Sequence, residues 1–240
     1  GRLQFVHFLG PRGPAQALHA FGNGAAGHHD HFAATGRRHV IKFQGCYHGW
    51  HDALLSPYNT LAYRSGIFPW YNEDEPICWW SPDPRFVLFP EKLKVSKSMH
   101  TILQNGRFRF VLNKNFKQVM ENCKNIPREG QDGTWIQPAL IDAYSKLHQL
   151  GHAICAEAWK DGAMVGGVYG IKLGNVFFGE SMFSKESNAS KFAFINLVRW
   201  LQQQQVVMID CQIYTAHLES LGASMIPRNT FCNILQKEIL

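Results

Sequence analysis

Between His152 and Gln212 the spacing of apolar positions changes from strand-like to helical and back again. His152–Trp159, Ala163–Lys172 and Val176–Phe183 are apolar, β-prone runs separated by Asp161-Gly162 and Gly174-Asn175. Such dipeptides favour tight hairpin turns, so the pattern predicts three consecutive antiparallel strands. Asn188–Gln205 then puts Phe194, Leu197, Val198 and Leu201 on one face at helical spacing, making it the strongest amphipathic helix of the chain. Val206–Gln212 follows as a buried strand.

Upstream, the pattern predicts a short helix over Tyr58–Ser65 that stops at Gly66, where a glycine can take the left-handed cap conformation. Pro69, Pro76, Pro82 and Pro84 break regular structure and hold Trp70, Trp79 and Trp80 on extended turns. Phe86–Pro90 and Arg107–Leu112 read as strands, Ser98–Asn105 and Phe116–Asn122 as helical. Pro138 suits a first helical turn, and Leu140, Tyr144, Leu147 and His148 recur at helical spacing until Gly151. A meander, a long helix and a further strand add up to an α+β fold, a sheet covered by helices.

A chain of 240 residues, 45% hydrophobic and 18% charged, can bury one substantial core and is not a disordered segment. No run of about 18 apolar residues occurs, so no membrane span is expected. Six cysteines without a CxxC pair suggest reduced thiols and a cytoplasmic protein. The net charge of +6 suits a polyanionic partner, but half of it lies in residues 1–57. Any nucleic-acid contact must therefore use a local patch.

The first fifty residues stand apart. Eight of the twelve histidines precede residue 52, glycine is dense, and periodicity is missing until His39. His28, His29, His31, Cys46, His48 and His51 carry donor types suited to zinc or copper, in a spacing that fits no standard finger. Thr35–Gly49, with its Tyr47-His48-Gly49 phrase, resembles a fragment of the class III aminotransferases and glutamate-1-semialdehyde aminomutases. In that family the aromatic residue of the phrase, here Tyr47, lies against pyridoxal phosphate. No downstream counterpart of the Schiff-base lysine is present, so that chemistry is not expected. Residues 1–54 thus read as an atypical, poorly ordered leader without a metal site.

Three phrases carry the candidate chemistry: Arg128–Ile136 (Arg-Glu-Gly-Gln-Asp-Gly-Thr-Trp-Ile), Phe178–Ser184 (Phe-Gly-Glu-Ser-Met-Phe-Ser) and Ile209-Asp210-Cys211-Gln212. Carboxylates and an amide among apolar residues suggest polar groups held in a greasy cleft. Two readings of Glu180, Asp210 and Gln212 stand on the residues alone: a reactive centre, or a buried polar network that satisfies strand ends. With Gly66–Trp70 and Trp79–Arg85 added, residues 54–231 resemble the leucyl/phenylalanyl-tRNA–protein transferases.

That resemblance implies an N-acetyltransferase-like mixed sheet covered by helices, preceded by a small or incomplete N-terminal region. It divides the chain into residues 1–54, a remnant of a small N-terminal domain at 55–84, and a catalytic domain at 85–240. It implies an enzyme that moves leucine or phenylalanine, with methionine as a further candidate, from aminoacyl-tRNA to proteins with N-terminal Lys or Arg, marking them for degradation. Glu180 would hold the α-ammonium group, Asp210 would orient or deprotonate the incoming amine, and Gln212 would bond the carbonyl or acceptor backbone. Val168, Phe177, Met182, Leu197, Leu201 and Ile209 would line the side-chain pocket, and Trp70 and Trp135 would flank the aminoacyl-adenosine. No metal or organic cofactor is implied, and the chain is expected to be a monomer.

Arg85, Lys92, Lys94, Lys97 and Arg228 are candidates for acceptor-stem phosphates. His217 is read as structural, and Gln137 replaces the Thr or Ser that usually caps the following helix. Two rivals remain: a catalytically impaired tRNA- or peptide-binding module, and an acetyl-CoA-dependent N-acetyltransferase. The second is disfavoured because Ser184–Lys191 has no pyrophosphate-binding loop.

Overall fold

The computed structural model describes the backbone of residues 4–7, 29–33 and 39–44, and residues 57–70, 79–127 and 134–239. Tyr47, His28, Cys46, His48, His51 and residues 128–133 of the first phrase lie outside the described residues. Strands β1 (Gln4–His7), β2 (His29–Ala33) and β3 (His39–Gln44) form a small antiparallel sheet of order β1-β3-β2.

The main sheet has seven strands: β6 (Arg85–Leu88), β7 (Arg109–Leu112), β8 (Ala153–Lys160), β9 (Ala163–Leu173), β10 (Val176–Ser184), β11 (Met208–Gln212) and β12 (Ser224–Ile226). Their order is β12-β6-β11-β10-β9-β8-β7. The meander β8-β9-β10 follows the two hairpin signals, with Asp161, Gly162 and Gly174 all at positive φ. Only the β10–β11 pair is parallel, because the helix between them returns the chain to the same edge.

That helix, α5 (Ala189–Gln203), packs on one face of the sheet with α2 (Lys97–Gln104). A Cβ on Gly166 of β9 would meet the backbone of Ala189 at 2.6 Å, so glycine permits the close approach. The other face is covered by α1 (Pro57–Arg64), α3 (Phe116–Asn125), α4 (Pro138–Gln149) and α7 (Arg228–Glu238). A mixed sheet with helices on both faces is the expected α+β architecture. Gln137 makes no side-chain cap bond at the start of α4, while Pro138 occupies the first turn.

Two parts of the chain depart from the sequence reading. Pro69 does not exclude pairing: β4 (Phe68–Pro69) and β5 (Trp79–Trp80) form a two-residue antiparallel ladder. The C-terminal α6 (Ala216–Ser220), β12 and α7 carry too weak a periodicity to be anticipated. β12 adds an edge strand, and Phe231 and Leu235 of α7 fill the core above β6.

Candidate active site

β10 and β11 run side by side only as far as the Phe178–Asp210 pair. Beyond it β10 continues along β9 to Ser184, whereas β11 ends at Gln212. Each strand carries a bulge at this point, at Glu180 in β10 and at Cys211 in β11. A bulged residue has no ladder partner and bends its strand, so the two bulges splay the sheet. The gap between them opens into a cavity of about 550 Å³.

Val168, Met182, Phe194 and Ile209 give the cavity apolar walls, and Trp70 and Trp135 also line it. Trp70 is held by the indole of Trp80, whose Nε1 donates to the Trp70 carbonyl at 2.7 Å while the rings lie 5.5 Å apart. Glu180 and Gln212 are the polar groups where the strands part, and Ser184, Ser190, Thr215 and His217 also line the cavity. The His217 Nε2 is buried without a hydrogen-bond partner among the described residues. Burial, and then the charge of Lys191, hold that imidazole below its usual range and so favour its neutral form.

Glu180 sits in a triangle of oxygens. Tyr63 of α1 donates to Oε1 at 2.7 Å, Tyr144 of α4 donates to Oε2 at 3.2 Å, and the two hydroxyls are 2.6 Å apart. Two phenolic protons cannot fill three contacts, so an ionised Glu180 leaves one contact without a proton and a protonated Glu180 completes the set. Burial raises the Glu180 carboxyl to about 7, against the lowering effect of the two tyrosines; Asp210 adds to the rise and Arg85 opposes it. A carboxyl that changes charge near neutrality, opening into an apolar cavity, can hold an ammonium group or accept a proton.

Asp210 is placed differently from the expectation. Its carboxylate is fully buried, receives Arg85 Nε at 2.8 Å and Nη2 at 2.6 Å, and does not line the cavity. Strict alternation would aim Asp210 and Gln212 to the same side. The bulge at Cys211 breaks that period, and Gln212 has φ of +62°. Gln212 therefore reaches the cavity and Asp210 stays behind its wall.

Other expected positions are corrected as well. Phe177, Leu197 and Leu201 are wholly buried between α5 and the sheet and contribute nothing to the lining, because the helix stripe is filled by the sheet beneath it. Phe194, nearer the start of α5, supplies the aromatic wall instead. Arg85 and Arg228, expected at phosphates, are buried: Arg85 under Phe68 and Phe231, Arg228 against Asp83 and the Ser81 carbonyl. Lys92, Lys94 and Lys97 are exposed. Trp70, Trp135, Val168, Glu180, Met182, Ile209 and Gln212 are brought together at the cavity.

Tyr63, Tyr144 and Arg85 complete the site and were not singled out for it from sequence. Tyr144 offered a signal: a hydroxyl on an otherwise apolar helix face must find a buried partner. Among the described residues, no group of three or more His, Cys, Asp or Glu is arranged to hold a metal ion. No described helix is long and apolar enough to cross a membrane.

A family model described as leucyl/phenylalanyl-tRNA protein transferase matches residues 87–236, and one for the N-terminal domain of the same proteins matches residues 60–83. A protein of that name from Flavobacterium johnsoniae is 56% identical over 178 residues, 74% of this chain and 84% of its own length. One from Christiangramia forsetii is 56% identical over 184 residues, covering 75% and 87%. Among solved structures the likeness is weak: a conserved protein of unknown function from Bacteroides thetaiotaomicron has a TM-score of 0.41 at 13% identity, covering 57% of this chain and 53% of its own. The matches span the strands and helices that build the cavity, and the chain belongs to the leucyl/phenylalanyl-tRNA–protein transferase family.

Proposed function

We propose that this chain transfers leucine or phenylalanine from aminoacyl-tRNA to the N-terminus of acceptor proteins that begin with Lys or Arg, marking them for degradation. The observation that carries the reading is the cavity itself: one half-buried carboxylate, Glu180, and one amide, Gln212, at the edge of an apolar chamber. The ester of a charged tRNA is already activated, so the protein has to position an amine against it and manage one proton. In this reading Glu180, held by Tyr63 and Tyr144, receives the α-ammonium group of the attached amino acid. Gln212 bonds the ester carbonyl or the acceptor backbone. Val168, Met182, Phe194 and Ile209 take the Leu or Phe side chain, and Trp70 and Trp135 flank the terminal adenosine, whose stacking on an aromatic face contributes about 1–3 kcal/mol.

The matched segments 60–83 and 87–236 support a division into a leader, a small N-terminal remnant at 55–84 and a catalytic domain at 85–240. Tyr63 and Trp70 belong to that remnant, so the cavity needs both parts. The thiols of Cys155, Cys211 and Cys232, which form no disulfide among the described residues, support a cytoplasmic setting, and the chain is taken to act as a monomer. Light scattering of the purified chain tests the last point.

The decisive assay is purified protein with Leu-tRNA and a peptide beginning with Arg. Peptide-bonded leucine is the expected product. Binding of charged tRNA without transfer would instead identify an impaired module of the same fold.

A further inference from the structure

Among the described residues that line the cavity, Glu180 is the only carboxylate, and the transferase reading gives it to the α-ammonium group of the attached amino acid. An acceptor that begins with Lys or Arg brings a second cation, its side chain, for which the lining offers no further acid. The segment after β11 supplies one just outside. Ile213, Thr215, His217 and Leu218 line the cavity, while Tyr214 and Glu219 of the same segment face solvent. Tyr214 is 50% exposed, yet its side chain is held from two sides. Its ring lies 5.4 Å from that of Phe86, and its hydroxyl donates to Glu219 Oε2 at 2.8 Å. Ion pairs among the described residues engage Asp83, Glu186, Asp210 and Glu238, and none engages Glu219. Lys191, next to the lining residue Ser190, acts on the His217 ring, so a cationic acceptor is repelled at this rim unless a carboxylate answers it.

We propose that Glu219 and Tyr214 form the subsite that takes the cationic side chain of the acceptor's first residue, and so set the preference for Lys or Arg. The inference rests on the transferase reading of the cavity and deepens it by naming what recognises the acceptor. Tyr214 follows Gln212 by two residues, a span of at most about 7 Å, which is the scale of an extended Lys or Arg side chain. An acceptor amine placed at the cavity beside Gln212 therefore brings its side chain within range of the rim. There the exposed phenol ring covers the aliphatic stem or the face of a guanidinium, and the Glu219 carboxylate meets the charge. One hydroxyl uses only one of the lone pairs on that carboxylate, and the rest stay open to the cation.

The experiment compares acceptor peptides that differ only in their first residue, with Leu-tRNA as donor. In Glu219→Gln the KM for an Arg-peptide should rise about fivefold, the scale of a solvent-facing ion pair, while kcat and the KM for Leu-tRNA change less than about twofold. Tyr214→Phe keeps the ring and loses the hold on the carboxylate, and should raise the same KM about twofold. Glu219→Lys should raise it by about thirtyfold and improve transfer to a peptide beginning with Glu by about fivefold, a gain that a merely structural role would not give. Both residues are exposed, and surface substitutions of this kind change stability little. An unchanged KM in Glu219→Gln, or no gain on the Glu-peptide in Glu219→Lys, overturns the proposal. Calorimetric titration with the Arg-peptide gives an answer that does not need transfer. Binding to Glu219→Gln should be about fivefold weaker than to wild type, and equal affinity, or no binding to wild type, refutes the subsite. Wild-type protein that binds the Arg-peptide and transfers no leucine would sink the transferase reading alone, and the titration would still decide this one.

Discussion

Two carboxylates on the same sheet show what separates a structural acid from a reactive one. Glu157 of β8 is fully buried and fully engaged. Its Oε1 accepts the backbone N–H of Lys114 at 3.0 Å and of Asn115 at 2.6 Å, and its Oε2 accepts Asn115 Nδ2 at 3.0 Å and Trp159 Nε1 at 2.8 Å. Those donors tie the end of β7 and the start of α3 to β8, and none of them faces the cavity. Among the described residues, Glu180 of β10 is met by two hydroxyls, which also contact each other, and has an open side. Four fixed N–H donors leave Glu157 nothing to offer a ligand, whereas Glu180 has lone pairs and a proton to exchange. Burial alone does not mark a functional acid; incomplete satisfaction beside a cavity does.

This contrast can be broken most sharply at Glu180. Glu180→Gln should lower the transfer rate by about 10²–10³-fold, the range for loss of a positioned acid–base or ion-holding group, while thermal unfolding stays cooperative. An unaltered rate would reduce Glu180 to a second Glu157. Conversely, Glu157→Ala should cost about 2–4 kcal/mol in urea unfolding and leave turnover per folded molecule unchanged, because it strips an acceptor from several buried donors.

The pH dependence of stability distinguishes the same pair. The Glu180 carboxyl sits at about 7 when folded against 4.5 as the ordinary value. Between those limits the folded chain holds a proton that the unfolded chain has released, so this residue's contribution to stability falls as pH rises through the window. Glu180→Gln carries no such proton and should gain on wild type from pH 5 to pH 8, by on the order of 1–3 kcal/mol in parallel urea melts. A constant difference across that range would contradict it. The smallest effect is expected at Tyr63. Its hydroxyl lowers the Glu180 carboxyl, so Tyr63→Phe should move the pH midpoint of transfer upward and cost roughly tenfold or less in rate below pH 7. A downward shift would show that Tyr63 does not stabilise the carboxylate.

The hairpins of β8, β9 and β10 and the helix α5 were legible because Asp161-Gly162, Gly174-Asn175 and the stripe through Phe194 and Leu201 are local signals. Glu180 and Gln212 were legible as polar residues in apolar phrases. Asp210 was misplaced by the same logic, since period-two alternation holds only in an unbroken ladder and the bulge at Cys211 breaks it. Leu197 and Leu201 look like Phe194 in any helical projection. Only the splay of the sheet decides that Phe194 meets the cavity and the other two meet packed core. Arg85 read as a surface cation because nothing near it in sequence reveals Asp210 as its partner, 125 residues away.

By itself the sequence determined what is set by neighbours along the chain: the turns, the amphipathic helix, the apolar character of the site phrases and the family they belong to. Tertiary structure alone decided which polar groups meet. Tyr63, Tyr144 and Glu180 come from three separate elements, and Arg85 and Asp210 from two strands joined only by the fold. The physical reason is that buried charge and hydroxyl groups are positioned by long-range partners, whose geometry leaves no periodic trace in the chain.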